Sequence, residues 1–275
     1  MRVSRSLRIG IAAGMVIVFG ALSPATSPAQ SSSRAVPFVF IGTAAECGGP
    51  AGSHIVTAAW LGGMGLPDNG GLNSPNPSTA NDPHMGLLLS KNGPTTDCSS
   101  AGATITNPPR TITELNFDYR NGTHCGAGAP RFNVVSTAGF RYFLGCAHGL
   151  HTPATQDPRQ WTHVEFSAAA CVADPSCVTP AAVAPPTPPA PPFVFGATTI
   201  RSISIVYDEG TEVTGTEDPK GVGLVVMDNI SINNQVIRSG SGIADGTQGG
   251  RGKNKDGGDK QDGKDDGKDD GDKDD

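Results

Sequence analysis

Aromatic side chains are scarce in this chain of 275 residues. They make up 5% of the sequence, and Trp60 and Trp161 are the only tryptophans. A lectin-like sugar site needs an aromatic platform together with converging polar groups, so this composition weakens the case for such a site. We interpret the two tryptophans first as core residues, with stacking against a ligand as the alternative.

Basic residues are also in deficit. The 20 Lys and Arg residues against 26 Asp and Glu leave a formal net charge of −6, and the pI is near 5.5. A nucleic-acid-binding protein needs a basic face to neutralise phosphates, so this balance argues against a nucleic-acid partner. The sequence contains no Lys/Arg-rich amphipathic segment of the kind that binds a membrane surface.

The motifs of common hydrolases are missing from the sequence. It has no GxSxG, no HExxH and no cysteine–histidine pair in a recognisable setting. A glycoside hydrolase needs two carboxylates at a defined separation across a cleft, which a sequence cannot display. Acids at predicted strand ends include Asp118 and Glu165, but such acids are ordinary, and we expect no catalytic residues. The candidate ligand-binding residues are Trp60, Trp161, Asp208, Glu209 and Asp228.

Only one stretch is both long and apolar, "IGIAAGMVIVFGAL" at residues 9–22. Three arginines precede it and small residues at 27–29 follow it, which is the pattern of a secretory signal peptide over residues 1–29. The run is too short to span a bilayer comfortably, and an uncleaved anchor is the alternative. We therefore expect a secreted bacterial protein with no membrane insertion after signal cleavage.

All six cysteines follow the predicted signal peptide, and export permits them to form disulfides. The predicted pairs are Cys125–Cys146 at the ends of a hairpin, Cys171–Cys177 around an Asp-Pro turn, and Cys47–Cys98 by elimination. The alternative is a zinc site, although CxxC ligand pairs are missing. Its ligands would come from His124, Cys125, Cys146, His148 and His151. We expect disulfides and no metal.

The remaining apolar runs are short and are separated by Gly, Pro, Asn and Asp. No window outside the signal shows a sustained helical pattern, and many runs alternate in polarity. The sequence therefore predicts an all-β protein, an antiparallel jelly-roll-like β-sandwich with very little helix. The predicted strands are residues 36–41, 54–60, 86–90, 111–119, 131–136, 140–145, 161–167, 198–207, 221–228 and 230–237.

The segment "RFNVVSTAGFRYFLG" (131–145) predicts a hairpin with a defined register. A three-residue loop that ends in a left-handed Gly139 pairs Phe132 with Leu144 and places the apolar side chains on one face. This register sets Cys146 opposite Pro130 rather than opposite Cys125. The segment "GAGA" that follows Cys125 must then fold back to bring the two sulfurs to bonding distance.

A second strand predicts an irregularity. In "TIRSISIVY" (199–207), Ile200 and Tyr207 can share the face of the intervening isoleucines only if a bulge absorbs one residue near Ser202. We therefore expect a β-bulge at that position.

Two segments interrupt the strand pattern. We interpret the proline-rich residues 179–192 as a surface loop within one domain of residues 30–237, with an interdomain linker as the alternative. Residues 238–275 are rich in Lys, Asp and Gly, and we predict a disordered tail because they cannot offset their ordering entropy. Calcium binding by this tail is the alternative, but no frame matches an EF-type loop, so we expect no cofactor.

Several motifs together resemble a known group of proteins. They are "WLGGMGLPD" (60–68), "GLLLSK" (86–91), "CGAGAPRFNVV" (125–135), "YFLGCAHG" (142–149), "DEGT" (208–211) and "VVMDNISIN" (225–233). This set is similar to a group of uncharacterised exported bacterial β-sandwich proteins. The last motif also resembles the final strand of jelly-roll carbohydrate-binding-like domains. The resemblance implies a single domain and sugar binding, and it implies no particular catalytic activity.

These features together predict an exported, non-catalytic β-sandwich module that binds an extracellular ligand such as a glycan. The alternative is a structural or adhesive protein of the cell envelope, in which the C-terminal tail contacts surfaces. A glycoside hydrolase is the third hypothesis. Under the first hypothesis the partner is an extracellular carbohydrate.

Overall fold

The computed structural model describes residues 33–66, 84–182, 189–214, 218 and 221–239. The predicted signal peptide, residues 240–275 of the predicted tail and part of the proline-rich stretch lie outside the described residues. Within the described ranges, no helix has both the length and the apolar composition that crossing a membrane requires.

Two β-sheets pack against each other, and the predicted all-β antiparallel sandwich is confirmed. In chain order the strands are β1 (Arg34–Ile41), β2 (Val56–Gly62), β3 (Met85–Lys91), β4 (Ser99–Ile105), β5 (Glu114–Arg120), β6 (Arg131–Ser136), β7 (Arg141–Gly145), β8 (Leu150–Pro153), β9 (Trp161–Ser167), β10 (Thr179–Pro180), β11 (Ile200–Tyr207), β12 (Leu224–Ile232), β13 (Gln235–Val236) and β14 (Arg238–Ser239).

The strand order shows how the chain moves between the sheets. Sheet A has the order β10-β7-β6-β11-β4-β1-β14, and sheet B has the order β2-β3-β12-β5-β9-β8, with β13 beside β12. Neighbouring strands are antiparallel except for β1 and β14. Strands β11 and β12, which follow the proline-rich stretch, lie between strands that precede it. The segments before and after that stretch are thus interleaved in both sheets.

Over the described ranges, helix is confined to three short turns, as predicted. The helix α1 covers Ala44–Cys47, and 3₁₀ turns cover Cys146–His148 and Ala170–Val172. A capping box begins α1, because the Thr43 hydroxyl accepts from the Glu46 amide while the Glu46 carboxylate accepts from the Thr43 amide.

The predicted hairpin register is confirmed. Phe132 pairs with Leu144, and Gly139 ends the loop with a φ of 90°. The Cys146 amide donates to the Pro130 carbonyl, so Cys146 lies opposite Pro130 as expected. Positive φ is accessible to glycine without the steric cost that a β-carbon brings, and this allows the tight three-residue loop.

The predicted bulge is also confirmed. Pairing between β11 and β6 shifts by one residue between Ile200 and Ser202. As a result Ile200, Ile203, Ile205 and Tyr207 are all buried in the core.

The strand predictions differ from the structure at β12 and β4, and they also miss the short strands β8, β10 and β14. The runs 221–228 and 230–237 are not separate long strands, because β12 continues through both and only the short β13 follows it. Asn229 has a φ of 46°, and the pairing with β5 shifts between Asp228 and Ser231, so the chain bulges there without ending the strand. Strand β4 was not predicted, because its sequence "SSAGATI" is built mainly of small residues.

All three predicted disulfides are present. The Cα–Cα distances are 6.0 Å for Cys47–Cys98, 5.3 Å for Cys125–Cys146 and 5.4 Å for Cys171–Cys177. His151 lies beside the second bridge, with its Nε2 4.0 Å from Cys125 Sγ. Zinc binds thiolates, so sulfurs held in a disulfide do not supply the ligands that the zinc hypothesis requires.

Strand β4 fits the centre of sheet A because Gly102 has no side chain. Gly102 pairs with Phe38 of β1 and with Val206 of β11. A β-carbon at Gly102 would overlap the Ile205 carbonyl oxygen and the ring of Phe38. Small residues made this strand hard to predict, and at Gly102 a small residue is what the neighbouring strands require.

We predict that Gly102→Ala lowers the free energy of unfolding by about 1–3 kcal/mol, because the new methyl group is forced into a filled space. Urea denaturation measures the change. Thr104→Ala on the exposed side of the same strand is the control, with an expected change within about 0.5 kcal/mol. Equal stability of Gly102→Ala and the wild type would show that the strand is not packed in this way.

Candidate functional site

A polar groove lies on the outer face of sheet B. Successive side chains of a strand point to opposite faces, so each strand has an inner and an outer set. On β5, Leu115, Phe117 and Tyr119 belong to the buried core, whereas Glu114, Asn116 and Asp118 line the groove. The alternation "ELNFDY" thus places an acidic and amide row on the outside of the sandwich.

Strands β5, β9 and β12, the loop before β9, and β13 with the turn that precedes it build the groove, which has a cavity volume of about 480 Å³. Across β5 and β9, Asn116 pairs with Glu165 and Asp118 pairs with His163. On the other side of β5, Ser231 of β12 pairs with Asn116. The described residues that line it are Glu114, Asn116, Asp118, Thr155, Gln156, His163, Glu165, Asn229, Ser231, Asn234 and Val236.

One end of the groove is held by a chain of hydrogen bonds around Asp118. His163 Nδ1 lies 2.6 Å from Asp118 Oδ1, and Asn229 Nδ2 donates to Asp118 Oδ2 at 2.7 Å. The same Asn229 amide donates to Gln156 Oε1 at 2.6 Å. Both oxygens of Asp118 are therefore engaged, and these bonds hold four side chains in place.

His163 is the one imidazole of the groove lining. Its hydrogen bond with Asp118 and the nearby charges of Glu165 and Glu114 raise the pKa of the His163 imidazole above its ordinary value, although burial acts in the opposite direction. The imidazolium therefore persists to a higher pH than it would in solvent. It offsets part of the negative charge of the surrounding carboxylates.

The other end of the groove contains polar groups with incomplete partners. Asn116 Nδ2 donates to Glu114 Oε1 at 2.8 Å and to Ser231 Oγ at 3.2 Å. Ser167 Oγ donates to Glu165 Oε1 at 2.7 Å. Asn116 is 7% exposed, and its Oδ1 is buried with no hydrogen-bond partner in the part of the chain that the structure describes. This end is therefore rich in acceptors that neutral donors only partly satisfy.

The two predicted tryptophans are both buried. Trp60 lies in the main core, and its Nε1 donates to the Ala35 carbonyl at 2.7 Å. Trp161 belongs to a small apolar cluster with Leu66, Ala154 and Val226 beside the main core. Neither indole lines the polar groove, which agrees with the interpretation of both as packing residues.

Asp228 lies next to the groove and anchors a loop. Its Oδ2 accepts from the Leu66 amide at 2.7 Å, and its Oδ1 accepts from the Asn229 amide at 2.7 Å. Asp228 is buried, and these bonds fix Leu66 in the apolar cluster that adjoins the groove. Asp228 is one of the predicted ligand-binding acids, and in the structure its hydrogen bonds position Asn229.

Asp208 and Glu209 lie outside the groove, at the end of β11. Asp208 forms a two-pronged ion pair with Arg131, with both N–O distances 2.6 Å. Glu209 Oε2 lies 2.6 Å from Nε2 of His124, whose Nδ1 lies 3.1 Å from Asp218 Oδ2. Both acids are thus held in ion pairs within the protein.

The ion pair of Glu209 explains the glycines after Cys125. A β-carbon on Gly126 or on Gly128 would overlap the Glu209 carboxylate. The fold-back that the Cys125–Cys146 disulfide requires is one reason for glycine at these positions, and the structure adds a second. The glycines leave the space in which Glu209 reaches the fully buried His124.

Burial alone would lower the pKa of the His124 imidazole, but hydrogen bonds and charge from Glu209 and Asp218 outweigh that effect and raise it above the ordinary value. The Tyr207 ring packs edge-on against His124, with centroids 5.8 Å apart. Burial and the same acids strongly raise the pKa of the Tyr207 hydroxyl. These contacts form a buried cluster that joins β11, the segment after β5 and Asp218.

Comparison with protein-family models, with curated proteins and with solved structures finds no match to this chain. The resemblance to exported bacterial sandwich proteins stays a prediction. The geometry of the groove therefore carries the functional argument.

Sequence reasoning picked out only some of the groove residues. Asp118 and Glu165 stood out as acids on predicted strands, whereas Glu114, Asn116 and His163 did not. A usable signal was present, because "ELNFD" and "WTHVEFS" both place polar residues at alternate positions. What the sequence does not display is that β5 and β9 are neighbours.

We predict that Glu209→Gln destabilises the protein by about 1.5–3 kcal/mol below pH 6, because a buried charge-assisted hydrogen bond is lost. A raised folded-state pKa for His124 gives stability that is complete below the unfolded value of about 6.5 and is lost as pH rises through the folded value. The difference in urea midpoint between wild type and variant should therefore shrink between pH 6 and pH 9.

The control for this experiment is Asp174→Asn, which removes the partner of His148 in a solvent-exposed pair. Exposed pairs contribute little to stability, so this variant should match the wild type throughout the pH range. A Glu209→Gln deficit that stays constant with pH would mean that the imidazolium of His124 does not stabilise the fold.

Proposed function

We propose that this protein is an exported, non-catalytic binding module whose groove on sheet B takes a hydroxyl-rich extracellular ligand, a segment of a glycan. The observation that carries the proposal is the lining of the groove: of its eleven residues, all but Val236 have hydrogen-bonding side chains. Sugar hydroxyls both donate and accept hydrogen bonds, so a surface of amides, carboxylates and hydroxyls complements them.

The groove is organised before any ligand arrives. Asp118, Asn229 and Gln156 are already joined by hydrogen bonds, and the lining residues of β5, β9 and β12 belong to paired strands. Side chains that are held in place lose little conformational freedom on binding, which lowers the cost of association. The volume of about 480 Å³ lies within the range of small-molecule sites.

The composition of the lining sets an expectation for affinity. In the part of the chain that the structure describes, no aromatic side chain lines the groove, so a sugar ring would not gain the stacking energy that an aromatic platform supplies. Recognition would instead depend on hydrogen bonds, each of which contributes only about 0.5–1.5 kcal/mol net. This combination favours a specific ligand that is bound with moderate affinity.

The three disulfides support export. Disulfides persist in oxidising compartments such as the bacterial periplasm and the extracellular space, and they are rare in the cytosol. All six cysteines of the sequence are paired in the described part of the chain. Together with the predicted signal peptide, this supports a secreted location.

We predict that Thr155→Trp abolishes glycan binding, because an indole at this exposed lining position fills the groove. Binding of the wild type is measured on a soluble oligosaccharide array and on purified cell-wall glycan. The variant should lose at least about ten-fold in affinity, or about 1.4 kcal/mol. Thr104→Trp, at an exposed position of sheet A, is the control and should bind like the wild type. If the wild type binds neither the array nor the cell-wall glycan, the glycan proposal is abandoned.

The same samples test the hydrolase hypothesis, which one observation favours. Glu114 and Glu165 lie on adjacent strands of one groove, because Glu165 pairs with Asn116, two residues along from Glu114. Glycosidases act through two such carboxylates across a bound sugar. New reducing ends that appear with the wild type and are missing with Glu165→Gln would assign a hydrolase.

The alternative of a structural or adhesive envelope protein is tested by truncation. Deleting residues 240–275 leaves every described strand in place. A binding module should keep its full glycan affinity after this deletion, because the groove is untouched. Retention on cell-envelope preparations that falls while oligosaccharide affinity is unchanged would support a tail-driven surface protein instead.

A further inference from the structure

We propose that the groove on sheet B selects an amino sugar with a free ammonium group, of which an oligomer of glucosamine is the simplest example. This inference rests on the proposed function and narrows it from glycans in general to glycans that carry positive charge. Three features of the groove point to it: its charge, the unbalanced partners of Glu114 and Glu165, and the unpaired oxygen of Asn116.

The lining of the groove has a negative balance. Among the described lining residues, Glu114, Asp118 and Glu165 contribute three negative charges. The net charge of the lining is therefore −3 when His163 is neutral and −2 when it is protonated (−3 + 1). Among the described residues, neither lysine nor arginine lines the groove. A sugar that carries carboxylate or sulfate groups is repelled by this field, whereas an ammonium group is attracted.

The charge is not spread evenly over the three acids. Asp118 is paired with His163 and also accepts from Asn229, so its charge is met within the protein. Glu114 and Glu165 receive hydrogen bonds from neutral donors, the amide of Asn116 and the hydroxyl of Ser167. Among the described residues, no Lys, Arg or His forms a salt bridge with either glutamate. Their end of the groove is where a ligand cation would lie.

Asn116 gives independent evidence that this end of the groove lacks a hydrogen-bond donor. Its amide nitrogen bonds to Glu114 and Ser231, which fixes the assignment of oxygen and nitrogen. Its Oδ1 has no partner within the described chain, although the residue is 7% exposed. The terminal torsion of asparagine is broad, so a small rotation can offer this oxygen to a donor in the groove. A ligand N–H or O–H group would satisfy it.

An ammonium group on a sugar fits this arrangement better than a bare metal ion does. A metal needs several ligand atoms that converge on one point. In the described ranges, no three groove side chains of the Asp, Glu or His type bring ligand atoms within 4.8 Å of one another. Acceptors that are spread along a groove match a larger ligand whose several donors are separated by a sugar ring.

The test uses three oligosaccharides that share one β-1,4-linked backbone and differ only in the group at carbon 2. They are tetraglucosamine with an ammonium group, its N-acetylated form with a neutral amide, and cellotetraose with a hydroxyl. Affinity is measured by calorimetry on the full-length mature protein at about pH 6, below the pKa of ordinary amines. We expect tetraglucosamine to bind at least about ten-fold more tightly than the other two.

Charge variants identify the residues responsible. Glu114→Gln and Glu165→Gln should each weaken tetraglucosamine binding about ten-fold and weaken cellotetraose binding much less, since the glutamine keeps the size of the side chain and loses the charge that strengthens a hydrogen bond from an ammonium group. Asp174→Asn changes the net charge equally at a position outside the groove, and it should leave both affinities unchanged. Urea midpoints of the variants exclude unfolding as the cause of any loss.

The outcomes separate this inference from the function on which it rests. Equal binding of the three oligosaccharides, or a preference for a neutral one, overturns the ammonium assignment and leaves a glycan-binding module. Binding of none of them overturns the ammonium assignment, and it overturns the glycan proposal as well when the oligosaccharide array and the cell-wall glycan are also not bound. Tight binding of calcium that displaces tetraglucosamine would assign the groove to a metal and would likewise overturn the inference.

Discussion

Three phenylalanines, Phe117, Phe132 and Phe166, meet between the two sheets with ring centroids 5.7 to 6.3 Å apart. Phe117 and Phe166 come from neighbouring strands of sheet B, and Phe132 comes from sheet A. Burying these rings fixes which face of β5 and β9 points inward. Because side chains alternate along a strand, the same burial turns Glu114, Asn116, Asp118, His163 and Glu165 outward. The polar groove is thus a direct consequence of how the core is filled.

The candidate binding acids fall into two kinds, according to the side chains that surround them. At the end of β11, Asp208 forms a partly exposed ion pair with Arg131, and Glu209 pairs with the fully buried His124. A charge on a buried imidazole requires such a partner. In the groove, Glu114 and Glu165 have only neutral donors. The acids of the first kind are paired with cationic side chains of the protein and also line a separate cavity of about 360 Å³, whereas those of the second kind keep acceptors available for a ligand. This contrast distinguishes the acids paired within the protein from the acids of the groove.

Local patterns in the sequence were reliable where the deciding contacts are close in the chain. The hairpin at Gly139, the bulge near Ser202 and the bridges Cys125–Cys146 and Cys171–Cys177 followed from alternation, loop length and spacing, and all were confirmed. The Cys47–Cys98 bridge, whose partners are 51 residues apart, followed only by elimination. Prediction failed at β4, whose small residues have a low strand propensity and make sense only beside Phe38. It also split β12 at Asn229, where a bulge imitates a turn.

Alternation along the chain was therefore enough to establish an all-β protein and the buried faces of the 131–145 hairpin and of β11, while hairpin ends, a turn and elimination paired the cysteines. The candidate site was settled only when the strands were paired. Asn116 and Glu165 are 49 positions apart in sequence (165 − 116), and nothing in their local sequence shows that they face each other. Likewise, Asp208 and Glu165 look alike as acids on strands, and only the contacts of the folded chain show that one is paired with Arg131 and the other is not. Side-chain direction is a local property of a strand, whereas strand order and charge pairing depend on contacts between distant segments.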